Sequence, residues 1–566
     1  MIFCGLKLTH DGAIALIEDN KLLFCIEMEK LNNNPRYTAV EETELISTVL
    51  AGQGYGIADI DYFAVDGWGG TDQDALALQP RLEIGERCNR LLVKSSGKWF
   101  KLDVAPYREK TLKHDVLEEW SFQGLEIGGH RPDYSGYLHV AGHIMSAYCS
   151  SDFAAAGESA YILIWDGGMY PRLYFFDPGT REVENLGPLF LLIGNIYTIF
   201  AQHFGPFKVD GPFAKDNLSV AGKVMAYVAL GEVRRELFRH FDDIYVSCYD
   251  KPMGFANIFA NELKKRIQGQ TWSDEDILAS FHLYLEELLT RKLEKKVQRS
   301  GSRSGNLCMA GGCALNIKWN SAVRDSGIFQ RVYTPPFPND SGSALGMACC
   351  GMVKRGRHIA LDWNVYSGPD IGENGVAGGW SSRPCSLKEL AALIHRCNSP
   401  VVVLNGKAEL GPRALGNRSI LANAGCPGMK DRLNRIKNRE SYRPVSPICL
   451  ESKAPLVFDP GTPDPYMLFD HRVRSQWSAK IPAVLHLDGT ARLQTVSRQQ
   501  NPVIAELLRE YEELTGIPLL CNTSANFKGS GFFPDVYSAT RWDGTDYVWC
   551  DNKLYEKERK ASPGDE

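Results

Sequence analysis

An excess of positive charge is missing from this chain of 566 residues: 63 lysines and arginines stand against 68 aspartates and glutamates, a net charge of −5. A molecule so balanced lacks the field that holds nucleic acid or an anionic membrane, so neither is expected as a partner and any anion site must be local. Long apolar runs are missing as well. The greasiest stretch, 188–200, is broken by Gly194 and Asn195 and falls short of the roughly 20 apolar residues that a membrane span needs. The opening MIFCGLKLTHDGAIAL has no basic region leading into an apolar core and a cleavage site, which makes a cytoplasmic protein the expectation. The 15 cysteines are scattered without CxxC pairs, and Cys349 adjoins Cys350, a pattern of reduced thiols that speaks against a disulfide framework or a cysteine-held zinc. A Walker phosphate loop is absent: Gly97-Lys98, Gly222-Lys223 and Gly406-Lys407 are not followed by Ser or Thr, so a nucleotide would be held some other way.

What is present is material for packed cores. Hydrophobic residues make up 44% of the chain, and at roughly 100–200 residues per domain the length predicts two to four folded units. Alternating apolar and polar residues predict strands over Ile2–Leu8, Ala13–Glu18 and Lys21–Glu27, joined by turns at Thr9-His10-Asp11-Gly12 and Asp19-Asn20. Helices are expected over 40–51, about 137–150, 276–300 and about 314–325, and further strands over 60–65, 161–165 and 306–310. The polar, aromatic stretch 67–132 has no readable pattern and is expected to be an insertion lining a cleft. A Gly/Pro/Ser-rich segment, 361–384, marks the main boundary. The charged end, 553–566, is expected to be a disordered tail.

Several constellations could carry chemistry. His139 and His143, four apart on a predicted helix, project from one face toward a single ion, and Asp166 and Asp340 stand beside glycines where α/β folds expose functional groups. A mixed His/Asp set suits iron, manganese or zinc and does not choose between them. The bland alternative for an isolated His pair is a surface or structural role. Met309-Ala310-Gly311-Gly312-Cys313-Ala314-Leu315-Asn316 lets backbone amides approach a phosphate, although tight helix–strand packing needs the same glycines. The sharpest feature is Gly411-Pro412-Arg413-Ala414-Leu415-Gly416-Asn417-Arg418-Ser419, followed by Lys437-Asn438-Arg439-Glu440 and Arg443. So many cations among glycines in an acidic protein predict a concave site for a multiply charged anion, phosphate above all. His10-Asp11, in the first turn, offers a general base beside a carboxylate.

In this order, these segments resemble the O-carbamoyltransferase family of antibiotic and nodulation-factor biosynthesis. The likeness runs from His10-Asp11 through the HxxxH helix, Ile164-Trp165-Asp166-Gly167, Gly222-Lys223-Val224-Met225, the GGCALN segment, Pro338-Asn339-Asp340-Ser341-Gly342-Ser343-Ala344-Leu345-Gly346 and GPRALGNRS to Cys521-Asn522-Thr523-Ser524-Ala525-Asn526. It implies an α/β protein with a two-lobed, actin/sugar-kinase-like (ASKHA-type) domain over 1–365 and a YrdC-like α/β domain over 366–552. It implies ATP and carbamoyl phosphate as co-substrates, which the second domain joins into carbamoyl adenylate. The first domain, with one divalent metal ion, then transfers the carbamoyl group to a hydroxyl of a small natural product. Carried over residue by residue, the resemblance assigns His139, His143, Asp166 and Asp340 to the metal and His10 to the base that takes the acceptor proton. Gly311, Gly312 and Asn316 fall where the adenylate is held in the first domain. In the second, Lys437, Arg443, Arg492 and Ser524 match anion-binding positions, Lys437 and Arg492 as catalytic cations, with Arg413 and Arg418 in the GPRALGNRS loop and Met467 in a Pro-Tyr-Met slot.

The chain departs from the family where relatives carry an EERxxRxK-type basic segment: it has Glu27-Met28-Glu29-Lys30-Leu31-Asn32-Asn33-Asn34-Pro35-Arg36. Ala221 replaces an acidic residue before Gly222-Lys223. Competing readings are a non-catalytic or regulatory paralogue and a tRNA threonylcarbamoyl transferase-like enzyme, the latter disfavoured by the missing basic stripe. A homodimer is compatible with the sequence.

Overall fold

The computed structural model describes residues 1–68, 81–85, 87–248 and 255–558. They form a mixed α/β protein in two compact units, Met1–Leu23 with Ala39–Trp363, and Phe24–Thr38 with Asn364–Glu566. The break at 363/364 falls inside the Gly/Pro/Ser-rich segment, but Phe24–Thr38, expected in the first domain, groups with the second.

β1 (Ile2–Lys7), β2 (Ala13–Glu18) and β3 (Lys21–Glu27) follow one another as the alternation predicts, β3 belonging to the first unit only as far as Leu23; β4 (Tyr62–Asp66) comes next in that unit. The stretch 67–132 supplies a separate three-stranded sheet of β5 (Arg81–Glu83), β6 (Asn89–Ser95) and β7 (Lys98–Val104), and β8 (Trp120–Phe122), which pairs with β9 (Tyr134–Tyr137). Positions 69–80 and 86 of that stretch lie outside the described residues. The first sheet runs β3-β2-β1-β4-β9-β8, with β1 antiparallel to β2 and parallel to β4, and β4 parallel to β9. A second sheet, of β10 (Ala160–Ile164), β11 (Arg172–Asp177), β12 (Glu182–Pro188), β13 (Asn306–Ala310) and β14 (Arg331–Tyr333), runs β12-β11-β10-β13-β14 with the same alternation of senses about its first strand. With the edge strand β8 of the first sheet left aside, one strand order, third-second-first-fourth-fifth, is therefore built twice. By that order the turn after β1, with His10, corresponds to the turn after β10, with Asp166; the end of β4, with Asp66, corresponds to the end of β13, with Gly311-Gly312.

Two helices hold the core between these strands. α1 (His139–Cys149) is buried on every face, and α2 (Ser343–Arg355) is buried from Ser343 to Val353. They meet backbone to backbone because Gly142 faces Gly346; a Cβ at Gly346 would overlap the Gly142 carbonyl. That contact brings the HxxxH face to the turn that begins α2.

The second unit is an eight-stranded sheet with apolar layers on both faces. Its strands are β15 (Trp380–Pro384), β16 (Val401–Leu404), β17 (Arg418–Ala422), β18 (Ser446–Leu450), β22 (Gln494–Val496), β23 (Leu519–Ser524), β24 (Tyr547–Cys550) and β25 (Lys553–Lys557), ordered β15-β25-β24-β16-β17-β23-β18-β22; β19 (Phe458–Asp459), β20 (His471–Val473) and β21 (Thr490–Ala491) form a small companion sheet. β16 shows why its sequence is an unbroken apolar run: Val401 and Val403 join the layer with α3 (Leu387–Cys397) and α4 (Pro502–Thr515), while Val402 and Leu404 join the opposite one. The expected disordered tail is a strand over its first residues. Lys553–Lys557 is a strand between β15 and β24 with Leu554 fully buried, and 559–566 lie outside the described residues. No helix among the described residues is long and apolar enough to cross a membrane.

Candidate active site

The first unit gathers His139, His143, Asp166 and Asp340, all buried, with one ligand atom of each within 4.8 Å of the others. α1 supplies both imidazoles, the turn after β10 supplies Asp166, and the turn before α2 supplies Asp340. The two Nε2 atoms lie 3.1 Å apart, and each is 3.5 Å from Asp340 Oδ1. Facing nitrogens at that distance require a proton or a metal ion between them, and two nitrogens with two carboxylates suit a divalent transition metal. The set fits the ion that the resemblance implies.

Around these four lies a shell that the sequence reading missed. His139 Nδ1–H donates to Asp66 at 2.9 Å, which leaves Nε2 free to face the cluster. Lys7 Nζ donates to Asp66 Oδ2 at 2.8 Å and lies 3.0 Å from Asp340 Oδ2. The Tyr107 hydroxyl donates to Asp166 Oδ2 at 2.6 Å while its ring stacks on His139, and Trp68 packs edge-on against His10, Tyr107 and His139. The Gly312 amide donates to the other Asp166 oxygen at 2.8 Å. Burial disfavours these charges, but their partners outweigh it: Asp66 and Asp340 are held below the usual carboxylate range, Lys7 is held up, and His139 is raised to about 9 by Asp66 and Asp340 against its burial.

His10 is one-third exposed, with Nδ1 2.8 Å from Asp11 Oδ2 and Nε2 3.7 Å from Asp340 Oδ2. Burial lowers its pKa, while the hydrogen bond to Asp11 and the Asp340 charge raise it, with a net shift upward. Asp11 adopts a left-handed backbone (φ 55°) to close the hairpin turn. Gly311 (φ 85°) also sits in the left-handed region, and a Cβ there would press on the backbone of Trp165 and Asp166. The Asn316 side chain caps the helix that follows by accepting from the Lys318 amide at 3.1 Å, and its own Nδ2 is buried without a hydrogen-bond partner.

The second unit gathers cations. Arg413, Lys437, Arg443 and Arg492 are joined by Arg439, from the same basic run, and by Arg36, which the sequence reading did not assign; the charges of these neighbours help depress the pKa values of Arg413, Lys437, Arg439, Arg443 and Arg492. Burial is the first cause, neighbouring positive charge the second: Arg413 falls to about 10, Arg439 to about 9, and Lys437 and Arg492 fall well below their ordinary values. Lys437 Nζ donates to the Ser524 carbonyl (2.9 Å) and to the Asn526 carbonyl and side chain (2.8 and 2.7 Å); Arg439 donates to Thr523 Oγ1 and Arg492 to Ser446 Oγ. Arg413 Nε is buried with no partner. Met467 is buried, with φ 60°.

The structure does not bring Arg418 to this group. Its guanidinium donates to the carbonyls of Asn405, Gly406, Asn417 and Pro369, so it braces the loop that carries Arg413. Glu409 braces the same loop by accepting from the amides of Leu415, Asn417 and Arg418. The departing segment also has its place here: Lys30 Nζ donates to Glu27 and to the carbonyls of Glu409 and Gly411, and Arg36 joins the cations.

Comparison with known proteins matches residues 2–349 to the family described as "Carbamoyltransferase N-terminus" and 391–557 to "Carbamoyltransferase C-terminus". Nodulation protein U of Rhizobium tropici is 47% identical over 99% of this chain and 97% of its own length. The 3'-hydroxymethylcephem-O-carbamoyltransferases of Amycolatopsis lactamdurans and Streptomyces clavuligerus are 31% and 29% identical, covering 94% and 96% of this chain and the same shares of their own lengths. A glucokinase of Balamuthia mandrillaris solved with glucose covers 62% of this chain and 92% of its own at 9% identity and a TM-score of 0.25. With both halves of the chain matched and a relative aligned almost end to end, this protein belongs to the carbamoyltransferase family and is an enzyme of that class.

Proposed function

We propose that the protein is an ATP-dependent O-carbamoyltransferase that activates the carbamoyl group in the second unit and delivers it in the first, to a hydroxyl of a small natural product. The observation that carries the reading is the group of six buried or half-buried cations in an acidic chain: such a group is costly alone and becomes favourable once a polyanion enters. ATP and carbamoyl phosphate are such anions. In the second unit, carbamoyl phosphate and water would give carbamate and phosphate, and carbamate would displace pyrophosphate from ATP to form carbamoyl adenylate. Arg413, Lys437, Arg439, Arg443 and Arg492 would offset charge moving between phosphates, a contribution of several kcal/mol.

In the first unit, His139, His143, Asp166 and Asp340 would hold a divalent metal ion, which when bound supplies a Lewis acid for a phosphate or carbamoyl oxygen. His10, oriented by Asp11 through Nδ1, would take the acceptor hydroxyl proton on Nε2 as the hydroxyl oxygen bonds to the carbamoyl carbon and AMP leaves. Its partial exposure gives an acceptor access. The doubled strand order supports the two-lobed, actin/sugar-kinase-like reading of this unit, and the braced, glycine-rich anion loop supports the YrdC-like reading of the other. A hydroxyl acceptor is favoured by the relatives named for O-carbamoylation of a hydroxymethyl group.

The test is mass spectrometry of a panel of hydroxylated acceptors incubated with the enzyme. A single carbamoyl gain that needs both ATP and carbamoyl phosphate is expected; a gain from carbamoyl phosphate without ATP would exclude the adenylate.

A further inference from the structure

Lys7 is a lysine where a strand core should have none. Its side chain is fully buried, and its ammonium touches Asp66 Oδ2 at 2.8 Å, Asp340 Oδ2 at 3.0 Å and the Trp68 ring at 3.7 Å from the centroid. The Asp66 carboxylate, almost as buried, is divided between Lys7 and His139 Nδ1. Neither residue offers an atom to the ligand cluster, and both are bound to residues that do. Three carboxylates, Asp66, Asp166 and Asp340, surround the two imidazoles, and Lys7 is the only ammonium joined to them among the described residues. With both imidazoles neutral, as ligands to an ion must be, that leaves two negative charges, the complement of a divalent ion.

We propose that Lys7 is a resident counter-ion of the metal site, holding Asp66 and Asp340 in place while the site is empty and weakening its grip on a divalent ion, whereas Asp66 strengthens that grip by fixing the His139 proton on Nδ1. The inference rests on the metal reading given above. Its physical basis is that a buried carboxylate is costly without a partner. Without Lys7, the site would carry one more negative charge, which an incoming cation relieves. Asp66 acts as an outer ligand partner does, by setting tautomer and ring orientation, a role usually worth about 10–100-fold in metal affinity. The two are positioning residues with opposite signs, which a general loss of packing would not produce.

The experiment uses the full chain, stripped of ions by a chelator, with Lys7→Gln and Asp66→Asn. Co2+ is titrated, its visible absorption reporting coordination by nitrogen and oxygen ligands, and thermal melts are run with and without it. Lys7→Gln is expected to melt below wild type without Co2+, to regain most of that loss with it, and to bind Co2+ about tenfold more tightly; Asp66→Asn is expected to bind about 10–100-fold more weakly. A Lys7→Gln chain that folds only with Co2+ supports the inference. One that binds Co2+ no more tightly than wild type, or fails to fold with and without it, overturns it. A wild-type chain that binds no Co2+ overturns the metal reading itself, and the counter-ion role with it.

Discussion

The sites of the two units handle buried charge in opposite ways. In the first, Lys7, His139, Asp66 and Asp340 are interleaved, so the carboxylates are held down and the bases up. In the second, Arg413, Lys437, Arg439 and Arg492 lie among one another and all are driven down. One site has most of its counter-charge built into the fold; the other has little, which on the reading proposed above leaves it to a bound anion. A side chain's sign therefore says less about the guest than the balance of signs around it.

The comparison breaks most readily at Lys437. Lys437→Ala should lower pyrophosphate release from ATP and carbamoyl phosphate by about 10²–10³-fold, measured with a coupled pyrophosphate assay; an unchanged rate would mean the cations do not serve the phosphates. Tyr107→Phe, which removes a donor to Asp166, should weaken divalent-ion binding by about tenfold while leaving that release unchanged. Its readout is the Co2+ titration beside the same assay.

The pH response sharpens the contrast. Because the His139 pKa is raised from 6.5 to about 9 in the ion-free protein, its favourable contribution is fully present below pH 6.5 and is lost as pH rises through about 9. Melting of chelated protein should therefore fall over that window, and saturation with a divalent ion should flatten the curve. The smallest effect concerns Arg413, whose Nε has no partner. Arg413→Met should raise the melting stability of the ligand-free protein by about 1 kcal/mol while impairing pyrophosphate release, as expected where function keeps like charges together. A stability loss there would mean the group is not mutually repelling.

Much of this was legible in the chain. The i,i+4 spacing of His139 and His143 and the glycine-flanked aspartates announced four residues that meet, because helix periodicity and strand ends are local properties. Asp66-Gly67 carried the same signature as Asp166-Gly167 and could have been read from it. Lys7 could not: in an alternating strand a lysine reads as the solvent face, and only the helix packed behind β1 buries it. Arg36 was hidden because Phe24–Thr38 leaves the unit that surrounds it in sequence. Arg418 looked like an anion ligand because a glycine-rich loop needs internal donors as much as a phosphate does. Lys553–Lys557 read as a solvated tail, since a short charged strand has too few apolar positions to declare itself before its partners are known.

The central claim is that activation and delivery are separate chemistries on separate residues, and His10 tests it most directly. In the His10→Ala enzyme, supplied with ATP, carbamoyl phosphate and an acceptor that wild type carbamoylates, pyrophosphate release without acceptor should stay at the wild-type rate while carbamoylated product falls by about 10²–10⁴-fold. Equal loss of both, or product formed at the normal rate, would contradict the account.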